Sequence, residues 1–446
     1  MPIPATPFPM IDDAIDQLNQ HKATWLKLPI ATKLNYLQGV IDRTAANAER
    51  WAHAACQAKG LSPQSPLAGE EWVSGPWALI KAMQSLSVTL KSYQAGTPRT
   101  PTAVRTRRDG QVIAQVFPQS IYDRLLLSGV HSEVWMEPGV TVANLPQHMG
   151  LVYRDPPAEG KVALVLGAGN ISSIAPLDTL YKLYAEAQVI ILKMNPVNEY
   201  LGAIFEDIFA QFVSDGFLRF AYGGAEVGEY IVMHAGLDEI HITGSARTHD
   251  AIVYGGGEEG QARKARNTPR HQKRITSELG AVCPVIVVPG PWDAADIQHQ
   301  AANIATMKMH NAGFNCVAAQ VALLPESWNQ REALLDAVRA IFKASEARPA
   351  YYPGAAQRQQ AAVSAHPNAE RLNQRDVPTT LIANIDRDAL EDICFRDEAF
   401  GGVLSTTNLP GNTAAEFLKN AVKFANEQLW GTLGANIIIH PQTMRE

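Results

Sequence analysis

The sequence predicts an α/β protein built on a doubly wound parallel sheet. Between about residues 161 and 243, short apolar runs alternate with helix-like segments. The connections between them are short, which is typical of parallel strands joined by crossover helices. A second block of apolar runs, including 285–288 and 319–324, begins after Arg274. Two successive α/β domains are therefore expected, with their boundary near Arg274.

The first of these domains contains predicted strands that alternate with predicted helices. The strands are the apolar runs 161–166, 189–193, 218–222 and 239–243. The helices between them cover 176–187, about 200–215, and 225–234. Apolar runs of this length, bounded by glycine or polar residues, are typical of buried strands.

The flanking regions have other patterns. Residues 11–95 are predicted to be largely helical, because leucine and isoleucine side chains recur at spacings compatible with one helix face. The runs 112–117 and 140–142 predict strands, since proline and glycine separate them. The polar stretch 255–274 is rich in arginine and lysine. We interpret it as a solvated loop, with contact to a phosphate as the alternative.

Length and composition limit the classes of function. The chain has 446 residues, which is enough for two or three domains. Its formal net charge of −6 gives no support to nucleic-acid binding. No apolar run is long enough to span a bilayer and the N-terminus lacks a secretion-signal pattern, so a cytoplasmic protein is expected. The four cysteines form neither a disulfide framework nor a zinc-binding pattern, so no metal site is expected.

A series of short motifs occurs in a particular order along the chain. The motifs are Gly167-Ala168-Gly169-Asn170, Leu192-Lys193, Gly224-Ala225-Glu226-Val227-Gly228, Ile242-Thr243-Gly244-Ser245, Ser277-Glu278-Leu279-Gly280, Asn311-Ala312-Gly313-Phe314-Asn315-Cys316 and Glu398-Ala399-Phe400-Gly401-Gly402-Val403-Leu404. In this order they resemble the aldehyde dehydrogenase superfamily over roughly residues 161–404. The resemblance implies a doubly wound parallel-sheet cofactor domain followed by a second α/β domain that is catalytic.

The resemblance also implies three catalytic residues. Cys316 matches the family's nucleophile, and a thiolate suits an aldehyde carbonyl because it attacks readily and later leaves from a thioester. Asn170 matches the side-chain amide that would donate to the developing oxyanion together with the backbone N–H of Cys316. Glu278 matches the general base that activates water for release of the thioester.

Each of these residues has a plainer explanation when it is taken singly. Cys316 could be an inert core residue, Asn170 an N-cap for the following helix, and Glu278 a surface carboxylate. Among the other cysteines, Cys56 and Cys283 are interpreted as structural, and Cys394 is left open.

The same resemblance implies a binding site for NAD or NADP. Lys193 would bond the adenosine ribose, and Glu398 and Phe400 would hold the ribose on the nicotinamide side. Thr243-Gly244-Ser245 leads into a helix whose free N–H groups could meet the pyrophosphate. The plainer alternatives are core packing for Phe400 and a solvated charge for Lys193. The full set of cofactor residues is Lys193, Gly224, Gly228, Gly244, Ser245, Glu398 and Phe400.

Four departures from the family pattern accompany the resemblance. Ala168-Gly169 replaces an aromatic wall near the pyrophosphate. Pro196 stands where a carboxylate usually selects the unphosphorylated ribose, so NADP is less strongly excluded. Ala281 replaces a glycine, and its methyl group is expected to narrow the space beside Glu278. The chain also ends six residues after His440, where relatives continue, so the catalytic domain is expected to be incomplete.

The expected domain organisation follows from these matches. Residues 1–144 and 161–274 form the N-terminal helices and the cofactor-binding domain, and residues 275–446 form the catalytic domain. Residues 145–160 lie where relatives place an intersubunit arm, which is compatible with a homodimer.

The function that the resemblance implies is NAD(P)-dependent oxidation of an aldehyde through a cysteine thiohemiacetal and a thioester. An acyl-CoA or acyl-thioester reductase of the same superfamily is the first alternative. In that alternative the basic stretch 263–274 would contact coenzyme A phosphates. A catalytically silent binding subunit is the second alternative. The substrate is expected to be a small aldehyde or acyl compound.

Overall fold

The computed structural model describes residues 3–373 and 377–445. Within these residues, two larger sheets and a small antiparallel sheet are surrounded by helices. The strands of the first larger sheet are all parallel, and those of the second are parallel except for one edge pair. The predicted α/β fold class is therefore confirmed. No helix in the described ranges is long and apolar enough to cross a membrane.

The N-terminal block is helical, as predicted. Its helices are α1 (Phe8–Lys27), α2 (Ile30–Ala58), α3 (Ala68–Trp72) and α4 (Ala78–Gln94), with a π-helical turn at Val73–Trp77. The buried side chains of α1 recur with the helical period, so one apolar face is turned inward. At the end of that face, Trp25 donates its Nε1 hydrogen to the carbonyl of Leu183 at 2.9 Å. This contact fixes α1 to the first parallel domain.

A small antiparallel sheet follows the helices. It contains β1 (Ala103–Thr106), β2 (Val112–Phe117) and β3 (Ser132–Trp135), with helix α5 (Ile121–Leu126) between β2 and β3. The predicted strand 112–117 is confirmed. The predicted strand 140–142 is wrong, because Gly139 turns the chain with φ 91° and the pairing with β2 ends at Trp135.

Residues 145–160 contain a 3₁₀ helix, Leu145–His148, and the single-turn helix α6 (Leu151–Arg154). The hydroxyl of Tyr153 in α6 donates to the carbonyl of Tyr184 at 2.8 Å. This segment therefore lies against the body of its own chain, and its role as an intersubunit arm stays a prediction.

The first parallel sheet has the strand order β6-β5-β4-β7-β8. Its strands are β4 (Val162–Leu166), β5 (Val189–Lys193), β6 (Leu218–Ala221), β7 (Glu239–Gly244) and β8 (Arg274–Leu279). The helices in this region are α7 (Ile174–Ala185), α8 (Gly202–Ile208), α9 (Ala210–Ser214), α10 (Ala225–Met233), α11 (Ala246–Tyr254) and α12 (Gly257–Ala265). Strand β8 pairs with β7 as far as Leu279, so the sheet continues past the predicted boundary at Arg274.

Helix α12 lies inside the polar stretch that was predicted to be a loop. Its first turn carries Glu258 and Glu259, and its last turn carries Arg263 and Lys264. This distribution of charge suits the helix dipole, and it stabilises a helix that has almost no apolar face.

The second larger sheet has the strand order β11-β12-β13-β10-β9-β14. Its strands are β9 (Pro284–Val287), β10 (Val321–Pro325), β11 (Glu370–Arg371), β12 (Thr380–Ile385), β13 (Val403–Leu409) and β14 (Asn436–Ile438). Its helices are α13 (Ala294–Met309), α14 (Arg331–Ala344), α15 (Ala355–Ala365), α16 (Ile393–Arg396) and α17 (Ala414–Gln428). Strand β14 pairs with β9, so the C-terminal segment takes part in this sheet.

Candidate active site

A cleft of about 820 Å³ lies at the carboxyl ends of the first parallel sheet. Such ends are the usual ligand sites of doubly wound sheets. The second domain closes the cleft with the loop that carries Cys316 and with residues 397–400. All of the predicted site residues line this cleft, namely Asn170, Lys193, Gly224, Gly228, Gly244, Ser245, Glu278, Cys316, Glu398 and Phe400.

The loop that leads to Cys316 has an unusual backbone. After α13, Asn311 (φ 52°), Ala312 (φ 56°) and Gly313 (φ 81°) are all left-handed. For residues other than glycine, this region costs on the order of 1–3 kcal/mol each and persists only where the surroundings enforce it. A Cβ atom at position 313 would lie 2.3 Å from the carbonyl oxygen of Gly401, so only glycine fits there.

Replacing Gly313 by alanine is expected to destabilise the protein and to displace the loop. The added methyl would meet Gly401, and the left-handed backbone would strain any other residue. Gly96→Ala is the matched control, because Gly96 (φ 71°) is also left-handed but has open space around its Cβ position. Thermal melting should fall by at least about 3 °C more for G313A than for G96A. Equal melting of the two variants would contradict this account of the loop.

Cys316 is half-buried, and burial raises the pKa of its thiol, with Glu398 and then Glu278 adding to the effect. The backbone N–H groups of Cys316 and Val317 act in the opposite direction. Because the protonated thiol is favoured, catalysis requires a neighbouring group that accepts its proton. Cys283, which was interpreted as structural, is buried and donates its thiol hydrogen to the carbonyl of Cys316 at 3.5 Å.

Asn170 is buried beside this loop and connects the two domains. Its side-chain amide donates to the carbonyl of Phe314 at 3.1 Å, and among the described residues its second amide hydrogen remains for a ligand. Its backbone carbonyl accepts hydrogen bonds from Lys59 (3.3 Å), Asn311 (3.1 Å) and Tyr351 (3.1 Å). Asn170 is not the N-cap of α7, so the plainer alternative is wrong.

Behind the cleft, Lys59, Glu71 and Tyr351 form a cluster against Asn170 and Asn311 that the sequence did not reveal. Lys59 and Glu71 form a buried ion pair at 2.8 Å. The hydroxyl of Tyr351 contacts both Asn170 and the side chain of Asn311. These residues lie outside the recognised motifs, and no local pattern distinguishes them from ordinary helix and loop residues.

Glu278 lies near the end of β8, with an exposed side chain in the cleft. Glu278 is paired with Thr243 of β7 in the sheet, so Glu278 lies next to the start of α11. Ala281, which was expected to narrow the space beside Glu278, is buried and contacts the position of Gly431 instead. The substitution therefore leaves the space around the carboxylate open.

The first domain supplies an open surface for a dinucleotide. Ser245 caps α11 by accepting the backbone N–H of Thr248 at 3.1 Å. A Cβ atom at Gly224 or Gly228 would have no heavy atom within 4 Å, so a ligand can approach the backbone there. Lys193 is buried at the end of β5, and burial lowers the pKa of its ammonium. A solvated Lys193 is therefore the wrong alternative.

Glu398 reaches across the cleft toward the first domain. A Cβ atom on Gly280 would collide with its Oε2, and its buried Oε1 has no hydrogen-bond partner among the described residues. Burial raises the pKa of Glu398 to about 7, while Lys308 and Arg358 act in the opposite direction. A buried carboxylate oxygen without a partner fits a ligand hydroxyl, such as that of a ribose.

Phe400 lines the cleft instead of the core, so core packing is the wrong alternative for it. Its ring lies 4.9 Å from that of Tyr352 and 5.9 Å from that of Phe314. Arg358 donates to the carbonyl of Phe400 at 3.1 Å and also contacts the carbonyl of Ala399. These contacts hold the backbone that presents Glu398 and Phe400.

Lys308 on α13 is completely buried, and its Nζ has no hydrogen-bond partner within the described part of the chain. Burial lowers the pKa of Lys308 to about 7, and the nearby groups Glu398, Cys283 and Cys394 act in the opposite direction. An amine of this kind destabilises the fold, because its hydration is lost without a full replacement.

Replacing Lys308 by methionine is expected to stabilise the protein most below neutral pH. The unfolded amine binds a proton up to pH 10.5, whereas the folded amine loses it above about pH 7. The destabilisation by Lys308 is therefore complete below pH 7 and declines as the pH rises toward 10.5. Thermal melting of wild type and K308M between pH 6 and 9 measures the difference. A gain that grows with rising pH would contradict this assignment.

The charges of the basic stretch are engaged in ion pairs. Four of its basic side chains pair with a carboxylate, and the pairs are Arg263–Glu259, Lys264–Asp250, Arg270–Glu229 and Arg274–Glu239. Lys273 donates to the carbonyls of Val232 and His234. The predicted loop is therefore wrong for residues 257–265, which form α12, whereas residues 266–273 connect α12 to β8 without helix or strand.

The remaining cysteines have local roles. Cys56 is fully buried in α2, as predicted. Cys394 lies with His366 and Asp392 in a group whose potential ligand atoms are within 4.8 Å of one another. The imidazole of His366 contacts Asp392 at 2.9 Å, and the backbone N–H of Cys394 donates to Asp392 at 2.8 Å. Through these contacts, the group connects the end of α15 to the start of α16.

The fold and the cleft define the class of this protein. The model of the aldehyde dehydrogenase family matches residues 136–375, which is more than half of the chain. The chain belongs to the aldehyde dehydrogenase family.

Among curated proteins, the chain is similar to coniferyl aldehyde dehydrogenase of Pseudomonas sp., with 26% identity over 196 residues, 44% of this chain and 37% of that protein. It is also similar to N-succinylglutamate 5-semialdehyde dehydrogenase 1 of Caulobacter vibrioides, with 27% identity over 303 residues, 63% of this chain and 54% of that protein. The matches therefore span about a third to a half of these relatives' length.

Solved structures share the fold over almost the whole chain. A variant of aldehyde dehydrogenase C from Pseudomonas syringae, in complex with NAD⁺ and octanal, has a TM-score of 0.68 at 16% identity and covers 99% of this chain and 79% of that chain. NADP-dependent glyceraldehyde-3-phosphate dehydrogenase from Bacillus halodurans, in complex with NADP, has a TM-score of 0.65 at 15% identity and covers 98% and 85%. At these identities the likeness establishes the fold.

Proposed function

We propose that this protein oxidises an aldehyde with NAD or NADP through a thioester on Cys316. The main support for this proposal is that Cys316, Asn170 and Glu278 lie far apart in sequence but line the same cleft. Membership of the aldehyde dehydrogenase family supports the reaction class.

Residues on both sides of the cleft fit a nicotinamide dinucleotide. The N-terminus of α11, capped by Ser245, would meet the pyrophosphate, and Lys193 would bond the adenosine ribose. The partnerless Oε1 of Glu398 would accept a hydrogen bond from the other ribose. The bound nicotinamide would supply the acceptor for the hydride. Pro196 offers no carboxylate against a 2′-phosphate, so both cofactors belong to the proposal.

The chain's own groups would then act in sequence. The thiol of Cys316 loses its proton to a nearby carboxylate, and the sulfur attacks the aldehyde carbon. The free amide hydrogen of Asn170 and the backbone N–H of Cys316 donate to the oxyanion, each contributing on the order of 3 kcal/mol. After the hydride leaves, Glu278 removes a proton from water, which attacks the thioester carbonyl and releases the acid and the thiolate.

The first turnovers of the purified protein test this proposal. Wild-type protein is mixed with NAD or NADP and a panel of aldehydes, and absorbance of the reduced cofactor is followed. A burst of about one equivalent per cleft supports the dehydrogenase. Oxidation of reduced cofactor only with acyl-CoA would replace it by the reductase, which the ion-paired basic stretch does not favour. No cofactor binding by calorimetry would leave a silent binding subunit.

We also propose that the protein forms a homodimer. Exposed apolar side chains on α5, including Ile121, Leu125 and Leu126, would be covered by contact between subunits. Light scattering after gel filtration should therefore give twice the mass of one chain, and a monomer at micromolar concentration would contradict it.

A further inference from the structure

A buried charge network connects the N-terminal helices to the nucleophile loop. The side chains of Lys59 and Glu71 are only 3% and 1% exposed, and their charged atoms are 2.8 Å apart. Besides Glu71, the ammonium of Lys59 contacts the carbonyl of Asn170 (3.3 Å) and the side-chain oxygen of Asn311 (3.0 Å). One cation therefore joins the segment of the oxyanion amide to the loop that precedes the nucleophile.

The neighbouring carboxylate contacts the same loop. Glu70 accepts the backbone N–H of Asn311 at 3.0 Å, and the guanidinium of Arg348 holds this carboxylate. Asn311 thus has its backbone bound by Glu70 and its side chain bound by Lys59 and Tyr351. These contacts hold Asn311 in its left-handed conformation, which begins the strained segment before Cys316.

Stability alone does not explain such a network. Desolvation of two charges consumes much of their attraction, and a well-packed apolar pair of similar size is often as stable. Fixed polar contacts, in contrast, define one geometry for the groups that they bind. Here the bound groups are the two segments that present Asn170 and Cys316.

Resting on the proposed function, we propose that Lys59 and Glu71 are positioning residues for catalysis. They hold Asn170 and the Asn311–Gly313 turn so that the Asn170 amide and the Cys316 backbone N–H converge on one oxyanion. Neither residue contacts the substrate. Their effect is expected on the chemical step and on Cys316 reactivity, with little effect on cofactor binding, because Ser245 and Lys193 lie on other elements.

The first test compares Lys59→Met with Lys33→Met. Lys33 is a buried lysine in α2, the helix that Lys59 follows as C-cap, but its ammonium lies over the rings of Trp25 (4.9 Å) and Tyr153 (5.8 Å), away from the cleft. K59M is expected to slow the burst about 10–100-fold, as loss of a supporting shell commonly does, with an unchanged Kd for the cofactor. K33M should keep the wild-type burst rate within about twofold. An equal loss in both variants would overturn the proposal.

The double variant Lys59→Met, Glu71→Leu separates positioning from stability. It removes both charges, so it should recover most of the melting temperature that K59M loses. A burst that stays slow in this folded variant supports positioning, and recovery of the wild-type burst rate would reduce the pair to a structural role.

Alkylation of Cys316 by iodoacetamide provides a readout that does not depend on turnover. In K59M and in the double variant, its rate should differ from that of wild type and K33M at every pH. If wild type shows no burst but the alkylation difference remains, the proposed function fails while the positioning of Cys316 stands. Identical alkylation rates in all four proteins would contradict the positioning itself.

Discussion

Replacing Cys316 by alanine is expected to remove aldehyde oxidation almost completely. The variant lacks the sulfur that attacks the aldehyde carbon, so neither the thiohemiacetal nor the thioester can form. Loss of a covalent nucleophile lowers kcat by at least roughly 10⁴-fold, because the remaining groups can only bind and polarise the substrate. The burst of reduced cofactor should disappear with every aldehyde and with both cofactors.

The control for this variant is Cys56→Ala. Cys56 is fully buried in α2 and does not line the cleft, so C56A should keep the burst amplitude and lose some stability. Calorimetry should give the same cofactor Kd for C316A as for wild type, since the thiol is not part of the dinucleotide surface. A C316A protein that still gives a full burst would exclude Cys316 as the nucleophile.

Replacing Glu278 by glutamine is expected to separate the two halves of the reaction. In the proposed mechanism Glu398 can accept the thiol proton during acylation, whereas release of the thioester needs Glu278 to activate water. The burst should therefore keep its amplitude, while steady turnover falls on the order of 10²–10⁴-fold. Stopped-flow absorbance of the reduced cofactor measures both phases in one experiment.

A second carboxylate makes this variant informative. Glu398 raises the pKa of Cys316 more than Glu278 does. Glu398 itself has a pKa raised to about 7, which suits a proton acceptor near neutrality. If E278Q keeps wild-type steady turnover, deacylation does not depend on Glu278. In that case Glu398→Gln, with cofactor Kd measured separately, would be the next variant to examine.

The fold was predictable where strands are short, apolar and regularly spaced. The strands β4 to β7 match their predicted runs within one or two residues, because fully buried parallel strands carry an almost unbroken apolar sequence. Helix α12 was missed because its stability comes from charges at its ends and not from an apolar face. Strand β8 begins at the predicted boundary but belongs to the first sheet, and it gave no signal of a core strand because none of its residues is fully buried.

The candidate site was predictable only where residues belong to recognisable motifs. Cys316, Asn170 and Glu278 were identified by motif order, and the structure places all three at one cleft. The contacts of Lys59 and Glu71 depend on tertiary structure, since Lys59 is 111 positions from Asn170 and 252 from Asn311. No sequence period relates such distant residues. The burial of the Lys308 amine was not predictable for a similar reason. The sequence of α13 does not show which other elements cover this side chain.

Mass spectrometry of the acyl-enzyme tests the central claim most directly. Glu278→Gln protein is mixed with an aldehyde and the oxidised cofactor, quenched with acid, and digested. The account predicts that the peptide containing Cys316 gains the mass of the acyl group, and that hydroxylamine removes it as expected for a thioester. No adduct after a cofactor burst, or an adduct on Cys283, Cys394 or Cys56 in place of Cys316, would contradict it.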